Sequence, residues 1–568
     1  MGIAKSVGCA IALLAAVAAV ATGQNANSQA SAVVSGVVVD AITRQPLKEV
    51  EVRLRGFGSG QGAGASGQSN SHPSSATTDA AGHFVVDGLS PGRYFVTAMR
   101  SGYVGQRISG GGSTGGRALT VAPDQHSDDV IVELIPGAKI SGLIKNGDGK
   151  PMPDVSVEVV KHFQSGSGVQ LGSVGGAFTD AAGEFRVTGL TAGRYYLRAI
   201  PPTMVSEVAT PGPAPAVKPV APAKPKTFAP TYYPNGVDST SASPLTVRAG
   251  DDLAGMDITL ADVRAVKISG RVLPAETSAP SSGAEITLIS NEASTSQREA
   301  VSDAKGNFEI KDVPPGDYVL VARVEPANAK SRMLWGQRPL HVGDSNLRNA
   351  NCLVGPGVQV SGRVHVDDKS TVDLSRLSVN LRPEGNSSVA ALMPDVENPS
   401  VQADGTFTFF NVPEGTYILD VERLPSGYYV KSTGSIDILE SGVTIAHNQS
   451  PALIDLALSA TAAQLSGTVS DDQMPVSGAQ VLLLPKGSRG NQSRFFRQSM
   501  TDRSGHFSIK NIIPGEYRVL AFEGADRGSL TDPDFLQQFA DSGESVRIAD
   551  GATLSVNLDA TNADETGR

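Results

Sequence analysis

Three of the eight histidines have an aspartate three residues further on, which is the spacing nearest to a zinc-binding pair in this chain. They are His126, His341 and His365. A zinc peptidase requires His-x-x-Glu and a distant third histidine. No histidine here has glutamate at that spacing, and His-Glu-x-x-His is absent. Because these histidines are scattered over alternating or loop segments, we expect surface residues and neither a metal site nor peptidase chemistry.

Two glycine-rich strings match catalytic or nucleotide-binding motifs by letter only. Residues 111–115 match Gly-x-Ser-x-Gly, and residues 62–67 match Gly-x-Gly-x-x-Gly. Neither string has the strand before it and the helix after it that the corresponding sites require. We therefore predict no catalytic residues and no cofactor, and we expect that the protein is not an enzyme.

Aromatic side chains are the candidates for ligand binding, because sugars stack on exposed rings. Trp335 lies in "RMLWGQRPL", and Tyr232 and Tyr233 lie in "APTYYPNG". Two other interpretations stay open at this point. Trp335 could be a partly buried strand residue, and the two tyrosines could pack a neighbouring proline-rich tract onto its domain.

The N-terminus has the pattern of a secretory signal. Lys5 supplies a positive charge, residues 7–20 are apolar, and small residues at Ala19 and Ala21 suit cleavage. We predict a signal peptide at 1–23, with an uncleaved anchor as the alternative, and hence a secreted, periplasmic or cell-surface protein. After cleavage, Cys352 is the one remaining cysteine, so it forms no internal disulfide, and its apolar surroundings predict burial.

Composition excludes one class of partner and favours short strands. The net charge is −10 and no run of lysine and arginine stands out, so no nucleic-acid partner is expected. After the N-terminal segment, no apolar stretch is long enough to span a membrane. The 62 glycines and 35 prolines suit a chain of strands joined by many turns.

One frame recurs five times: Asp-x-x-Gly-x-Phe, a short apolar alternation, then Gly-x-Tyr. The framed phenylalanines are about a hundred residues apart, with glycine always eight positions after phenylalanine and tyrosine two later. The frame residues are Asp79, Gly82, Phe84, Gly92 and Tyr94; Asp180, Gly183, Phe185, Gly193 and Tyr195; Asp303, Gly306, Phe308, Gly316 and Tyr318; Gly405, Phe407, Gly415 and Tyr417; and Asp502, Gly505, Phe507, Gly515 and Tyr517.

The frame is explained by backbone and burial requirements. Aspartate can hydrogen-bond the backbone just ahead of it, and glycine accepts positive φ, so Asp-x-x-Gly predicts a turn. Phenylalanine then begins an inward-facing strand, and tyrosine opens the returning strand. Calcium would need several clustered oxygen ligands, whereas each turn supplies one carboxylate. A hydrogen-bonded turn is therefore favoured over a calcium site, which nevertheless stays open.

A second marker precedes every frame: an apolar residue, then Ser-Gly, then alternating apolar residues. Alternation with a period of two predicts strands with one buried face. At about seven strands per hundred residues, the chain is predicted to be all-β, a tandem array of about five antiparallel seven-stranded β-sandwich domains.

The predicted boundaries follow the two markers. The expected units are a signal peptide (1–23), sandwich 1 (31–135), sandwich 2 (136–262, with a proline-rich loop at 201–230), sandwich 3 (263–356), sandwich 4 (357–462), sandwich 5 (463–558) and a tail (559–568). The proline-rich tract is placed inside sandwich 2 because the closing strands of that unit follow it.

The Ser-Gly strand and the frame, in the form Asp79-x-x-Gly82-x-Phe84 to Gly92-x-Tyr94, resemble carboxypeptidase regulatory-like domains. These are similar to transthyretin-like sandwiches and are grouped with starch-binding-like folds. The resemblance covers roughly residues 31–558, although copy four departs from it, with Gln402 in place of aspartate and Asp404 beside Gly405. In the family, such modules accompany metallocarboxypeptidases or stand alone in exported and envelope proteins.

Three functions follow as hypotheses. The first is a secreted, non-catalytic binding or spacer protein of the cell envelope, with a polysaccharide or an envelope protein as partner. The second is a carbohydrate-binding protein that uses Trp335 or the Tyr232–Tyr233 pair. The third is an accessory partner that regulates a separate peptidase.

Overall fold

The computed structural model describes residues 32–56, 74–109, 118–122, 126–165, 168–202, 226–276, 281–292, 297–325, 332–367, 371–385, 387–433, 437–446, 449, 451–502, 504–523, 529–540 and 542–562. The predicted signal peptide, both glycine-rich strings, most of the proline-rich loop and most of the tail lie outside these residues. Within the described ranges, five β-sandwiches follow one another, each with its own hydrophobic core. The predicted fold class is confirmed.

Sandwich 1 has eight strands in two sheets of four. The strands are β1 (Ala32–Asp40), β2 (Glu51–Gly56), β3 (Ser74–Thr77), β4 (His83–Leu89), β5 (Gly92–Met99), β6 (Tyr103–Ser109), β7 (Ala118–Val121) and β8 (His126–Pro136). The sheet orders are β4-β1-β8-β6 and β3-β2-β5-β7.

Sandwich 2 repeats the plan with longer edge strands and several short closing strands. The strands are β9 (Ala138–Lys145), β10 (Ser156–Ser165), β11 (Gly168–Phe178), β12 (Glu184–Leu190), β13 (Gly193–Ile200), β14 (Lys226–Phe228), β15 (Thr231–Tyr232), β16 (Leu245–Val247), β17 (Asp252–Leu253), β18 (Ile258–Thr259) and β19 (Asp262–Arg264). One sheet has the order β11-β10-β13-β15, and the facing sheet has the order β12-β9-β17.

Sandwich 3 has seven strands. They are β20 (Val266–Pro274), β21 (Glu285–Ser290), β22 (Gln297–Val301), β23 (Asn307–Val313), β24 (Gly316–Val324), β25 (Leu334–Val342) and β26 (Cys352–Val354). The sheet orders are β23-β20-β26 and β22-β21-β24-β25.

Sandwich 4 adds two short helices to seven strands. Its elements are β27 (Val358–Val366), β28 (Ser378–Pro383), α1 (Ser387–Leu392), β29 (Thr406–Val412), β30 (Gly415–Glu422), β31 (Tyr429–Ser432), α2 (Ile438–Ser441), β32 (Val443–Ile445) and β33 (Ile454–Ser459). The sheet orders are β29-β27-β33-β31 and β28-β30-β32.

Sandwich 5 carries a third helix. Its elements are β34 (Ala463–Asp471), β35 (Met474–Pro475), β36 (Gln480–Pro485), β37 (Arg497–Met500), β38 (His506–Ile512), β39 (Gly515–Glu523), α3 (Pro533–Gln538), β40 (Glu544–Ile548), β41 (Thr553–Asp559) and β42 (Thr561–Asn562). The helix lies on the outer face of one sheet over a small second core that includes Leu482, Phe522 and Phe539.

The two sequence markers are cross-strand partners. The glycine of Ser-Gly lies directly opposite the framed phenylalanine in all five sandwiches, for example Gly36 opposite Phe84 and Gly467 opposite Phe507. A Cβ atom on Gly467 would lie 1.7 Å from the Val556 carbonyl oxygen of the strand on its other side. Glycine is thus required because the closing strand approaches so closely.

That closing strand corrects one detail of the prediction. It pairs with the Ser-Gly strand in parallel, as β8 does with β1 and β41 does with β34, so the sandwiches are not wholly antiparallel. The sequence pattern does not distinguish the two pairings, because both bury alternate residues. The crossover through the second sheet returns the chain in the same direction.

The frame forms the predicted turn. In sandwich 1, the Asp79 carboxylate accepts hydrogen bonds from the backbone N–H groups of Ala81 (2.9 Å) and His83 (2.8 Å), and Gly82 has φ of 77°. Asp180, Asp303 and Asp502 make the same pair of bonds. In copy four, Asp404 instead accepts from the backbone N–H of Thr406, so the turn there is a variant.

The framed tyrosine closes the next turn. In every copy its hydroxyl donates to the carbonyl four residues earlier, at distances of 2.6–2.9 Å. A hydroxyl immediately before the aspartate was not predicted. Thr78, Thr179, Ser302 and Thr501 are each buried, and each bridges a carbonyl and an N–H beside the second strand. The frame is therefore a structural device, explained by its own hydrogen bonds.

Candidate functional site

The histidines singled out by spacing lie on separate strands. Among the described residues, no group of three or more histidine, cysteine, aspartate or glutamate side chains could hold a metal. His341 pairs with Asp317 across two strands (Nδ1 to Oδ1, 2.7 Å) at an exposed position, and His365 Nδ1 lies 3.2 Å from Asp455. In both cases this carboxylate belongs to another strand, and Asp368, the aspartate three residues after His365, lies outside the described residues.

Cys352 is fully buried in the core of sandwich 3, as its apolar surroundings predict. Burial raises the pKa of the thiol to about 12. The sulfur is therefore protonated at neutral pH and is a poor nucleophile.

Trp335 is not exposed. Only 1% of its surface is accessible, so the stacking face that the carbohydrate hypothesis requires is covered. The ring lies on β25 among Ile289 and Val321 of sandwich 3, and it packs against Val389 of helix α1 in sandwich 4. Trp335 therefore fills the joint between two domains.

Tyr232 is also covered, with no accessible surface. Its hydroxyl donates to Glu292 Oε2 of sandwich 3 at 2.8 Å, and the Arg198 guanidinium lies 3.4 Å away. Tyr233 is half-buried and packs on the core of sandwich 2. The ring packs with Val160 and Tyr196 of its own sandwich, so the exposed face that the carbohydrate hypothesis requires is covered.

Arg198 is the centre of the joint between sandwiches 2 and 3. It pairs with Glu158 on the neighbouring strand β10 and donates to the Glu292 carbonyl. Only 4% of Arg198 and 6% of Glu158 are accessible. Burial alone would lower the pKa of Arg198, but Tyr232 and Glu158 raise it, so the net direction is upward. A charge this deeply buried depends on its partners.

Sandwiches 3 and 4, and 4 and 5, are joined by polar contacts as well. The Gln337 N–H donates to Glu414 Oε1 at 3.0 Å across the first of these joints. At the second, Arg489 pairs with Asp437 (2.7 Å), which caps helix α2, and with Glu440 (3.3 Å) within that helix.

Sandwich 5 returns to contact sandwich 2. His162 Nδ1 on β10 lies 2.8 Å from Asp534 Oδ2 of helix α3, although the two residues are 372 positions apart. Lys161 Nζ lies 3.7 Å from Asp532 Oδ2, and the Ser493 hydroxyl donates to the Gln164 carbonyl at 2.9 Å. Sandwiches 2 to 5 thus form a closed ring, and we call this last joint the clasp.

Replacing Asp534 by asparagine is expected to loosen the clasp at neutral pH. The hydrogen bond from His162 lowers the pKa of Asp534 below its usual 3.8, so the ionised carboxylate stabilises the closed ring above that pH. The stabilisation is lost as pH falls through the lowered pKa. A partly exposed pair of this kind contributes about 1 kcal/mol, or about fivefold in the ratio of closed to open rings.

Fluorescence transfer between labels on sandwiches 2 and 5 measures this population from pH 7 to 3. The difference between the unmodified chain and Asp534→Asn should disappear in acid. Burial raises the pKa of Asp532, which acts in the opposite sense, but that carboxyl group is common to both chains. Asp317→Asn is the matched control, because it removes an exposed His–Asp pair and should leave the ring closed. Equal opening in both variants would contradict the clasp.

The joint residues were missed by sequence reasoning, with the exception of the two aromatics. A partial signal was present: outward positions of β10 and β13 carry Val160 and Tyr196, which a solvent-facing strand would not need. Glu292, Val389 and Asp534 gave no sign of their partners.

The sequence matches a known protein family over three successive segments, which correspond to the first three repeats. The family model described as carboxypeptidase regulatory-like domain matches residues 33–134, 139–261 and 267–332, which together make up just over half of the chain. The chain belongs to this family. The match covers sandwiches 1 and 2 and most of sandwich 3, and the predicted resemblance is confirmed.

Similar proteins add little about function. One curated relative, Colossin-A of Dictyostelium discoideum, is 22% identical over an alignment of 269 positions that covers 42% of this chain and 2% of the relative. The chain therefore spans a very small part of that protein.

Two solved structures resemble the chain in fold. A streptococcal ancillary pilin is 13% identical, covers 57% of this chain and 98% of its own, and has a TM-score of 0.21. BcpA, the major pilin subunit of Bacillus cereus, is 14% identical, covers 74% and 99%, and has a TM-score of 0.15. Both scores are low, so neither likeness carries an argument about function. In the part of the chain that the structure describes, no helix could span a bilayer.

Proposed function

We propose that this regulatory-like domain protein is an exported, non-catalytic scaffold of the cell envelope, in which sandwiches 2 to 5 act as one body. The observation that carries the proposal is the position of Trp335, Tyr232 and Arg198 in the structure. These side chains differ between the copies, and each is buried at a joint between domains.

The joints support a fixed spacing of domains. Flexible arrays usually have small polar interfaces between their units. Here a tryptophan, a buried arginine that donates to the next domain and the ion pairs of Arg489 lie between successive sandwiches, and the clasp closes the ring. A partner such as a polysaccharide or another envelope protein would then meet surfaces held in a constant arrangement.

Small-angle scattering of the chain tests the proposal. We expect one compact particle whose dimensions do not change between low and moderate salt, because the central joints are buried. A broad distribution of extended particles would contradict a single body. Robust peptide hydrolysis with added zinc, lost on replacing His126, His341 and His365, would contradict the non-catalytic part.

Export is tested separately, by cell fractionation with and without residues 1–23. We expect the full sequence to leave the cytoplasm and the truncated one to remain there. The alternative role as an accessory of a peptidase predicts that a peptidase is recovered with the chain from its native envelope. Carbohydrate binding through Trp335 or Tyr232 gains no support from their burial.

A further inference from the structure

A cleft of about 380 Å³ opens between sandwiches 4 and 5. Strands β30 and β31 of sandwich 4 line one side. The turn at Ser493–Phe495 and strands β37 and β38 of sandwich 5 line the other. A volume of this size falls in the range of about 300–1,000 Å³ that small-ligand sites occupy.

The polar lining of the cleft consists mainly of donors. Arg494, Arg497, Lys510 and Asn511 all line it. The Asn511 side-chain oxygen already accepts from the Gly427 N–H at 2.8 Å, so the amide nitrogen is the group that it can offer a ligand. Arginine, lysine and an amide N–H₂ are hydrogen-bond donors, and three of these four groups are positively charged.

The hydrogen bonds that the two arginines donate go to backbone carbonyl groups and not to carboxylates. Arg497 donates to the carbonyls of Arg494 and Phe496, at 3.0 Å each. Arg494 donates from one terminal nitrogen to the Glu440 carbonyl at 2.7 Å, while its Nε and other terminal nitrogen are buried without a partner. Burial lowers the pKa of both arginines, and at Arg494 it outweighs the opposing effect of the Glu384, Asp437 and Glu440 carboxylates, so an anion beside them would offset a desolvation cost.

The one acidic residue of the lining, Asp420, does not cancel this charge. Its carboxylate is already paired with Arg382. The rest of the lining is mostly apolar and includes Leu424, Leu439 and Ile513. A ligand that fits would therefore carry a negative group on a body with an apolar face.

We propose that the cleft between sandwiches 4 and 5 binds an oxyanion, a carboxylate, sulfate or phosphate group, carried on a small sugar-like or apolar body. The arginines and Lys510 hold the anionic group, and the leucine and isoleucine side chains contact the body. This site is independent of the scaffold proposal, because it requires only the joint between two neighbouring sandwiches.

Calorimetric titration of the full chain tests the site with galacturonate, inorganic phosphate, inorganic sulfate and neutral glucose. We expect at least one anion to bind and glucose not to bind. Lys510→Gln should weaken that affinity about tenfold, as the loss of one charge-assisted hydrogen bond predicts. Lys510 is exposed, so its replacement is not expected to disturb folding.

Sandwich 3 offers the matched control. Lys311 follows Phe308 by the same three positions by which Lys510 follows Phe507, and Lys311→Gln should leave binding unchanged. Binding of galacturonate alone would indicate that the ligand is an acidic sugar. Equal binding of phosphate and sulfate would indicate that the ligand is a free oxyanion. Both outcomes support the site. Binding of none of the three anions, or equal weakening by the two lysine variants, would overturn it. Scattering of the same samples shows independently whether the ring is intact.

Discussion

Replacing Arg198 by methionine is expected to destabilise sandwich 2 by about 3–5 kcal/mol, because it removes the guanidinium that compensates the buried Glu158 carboxylate. Methionine retains much of the side-chain volume, so the loss reports charge and hydrogen bonding more than packing. The Tyr232 hydroxyl and the Glu292 carbonyl lose the same guanidinium, and the joint to sandwich 3 should open together with the local fold.

Hydrogen exchange followed by mass spectrometry measures this change strand by strand. Amides of β10 and β13 should exchange faster, while those of sandwich 1 should not change, since local opening reports local stability. Arg323→Met is the matched control. Arg323 lies directly opposite Glu285 across the corresponding strands of sandwich 3, but Glu285 is exposed and Arg323 is only half-buried, so that pair should contribute about 1 kcal/mol or less.

A double variant separates the effect of the Glu158 charge from the effect of losing the Arg198 contacts. Replacing both Arg198 and Glu158 by methionine also removes the carboxylate that lost the guanidinium, so much of the stability should return. If Arg198→Met costs no more than Arg323→Met, or if the double variant is worse than the single one, the buried pair does not hold this joint.

The sequence predicted those turns and strands whose hydrogen-bonding partners are close in the chain or recur at the same spacing in every copy. The frame from Asp79 to Tyr94 makes its turn bonds within four residues, so spacing alone determines them. The Ser-Gly marker could be placed on a strand by its alternation. Its position opposite phenylalanine could not be deduced, because the register depends on the neighbouring strands.

The joints could not be predicted for a related reason. Alternation shows that one face of a strand is buried, but it does not show whether another domain covers the other face. Arg198 and Glu292 are 94 residues apart, and His162 and Asp534 are 372 apart. Nothing in either local sequence encodes the other. Trp335 and Tyr232 were candidates because sugars stack on exposed aromatic rings, but the sequence did not show that both rings would be covered.

Replacing Trp335 by alanine is expected to cost about 3–5 kcal/mol and to separate sandwiches 3 and 4. The ring is 1% accessible and is packed between Ile289 and Val321 on one side and Val389 on the other, so its removal leaves a cavity at the joint. Phe410→Ala is the matched control, because Phe410 is 66% exposed and its loss should change stability by about 0.5 kcal/mol or less.

Two further variants distinguish a joint from a ligand platform. The Trp335 Nε1 group is buried without a hydrogen-bond partner, so Trp335→Phe removes an unsatisfied donor and should cost far less than alanine. Val389→Asp opens the joint from the other side and keeps the ring. Because Trp335 is the one tryptophan in the chain, its emission should then shift to longer wavelength as water reaches the indole. If Trp335 is a joint residue, this shift should occur. Retention on polysaccharides should then be the same for Trp335→Ala and the unmodified chain. An unshifted emission in Val389→Asp, or a selective loss of sugar retention in Trp335→Ala, would return Trp335 to the role of a binding residue.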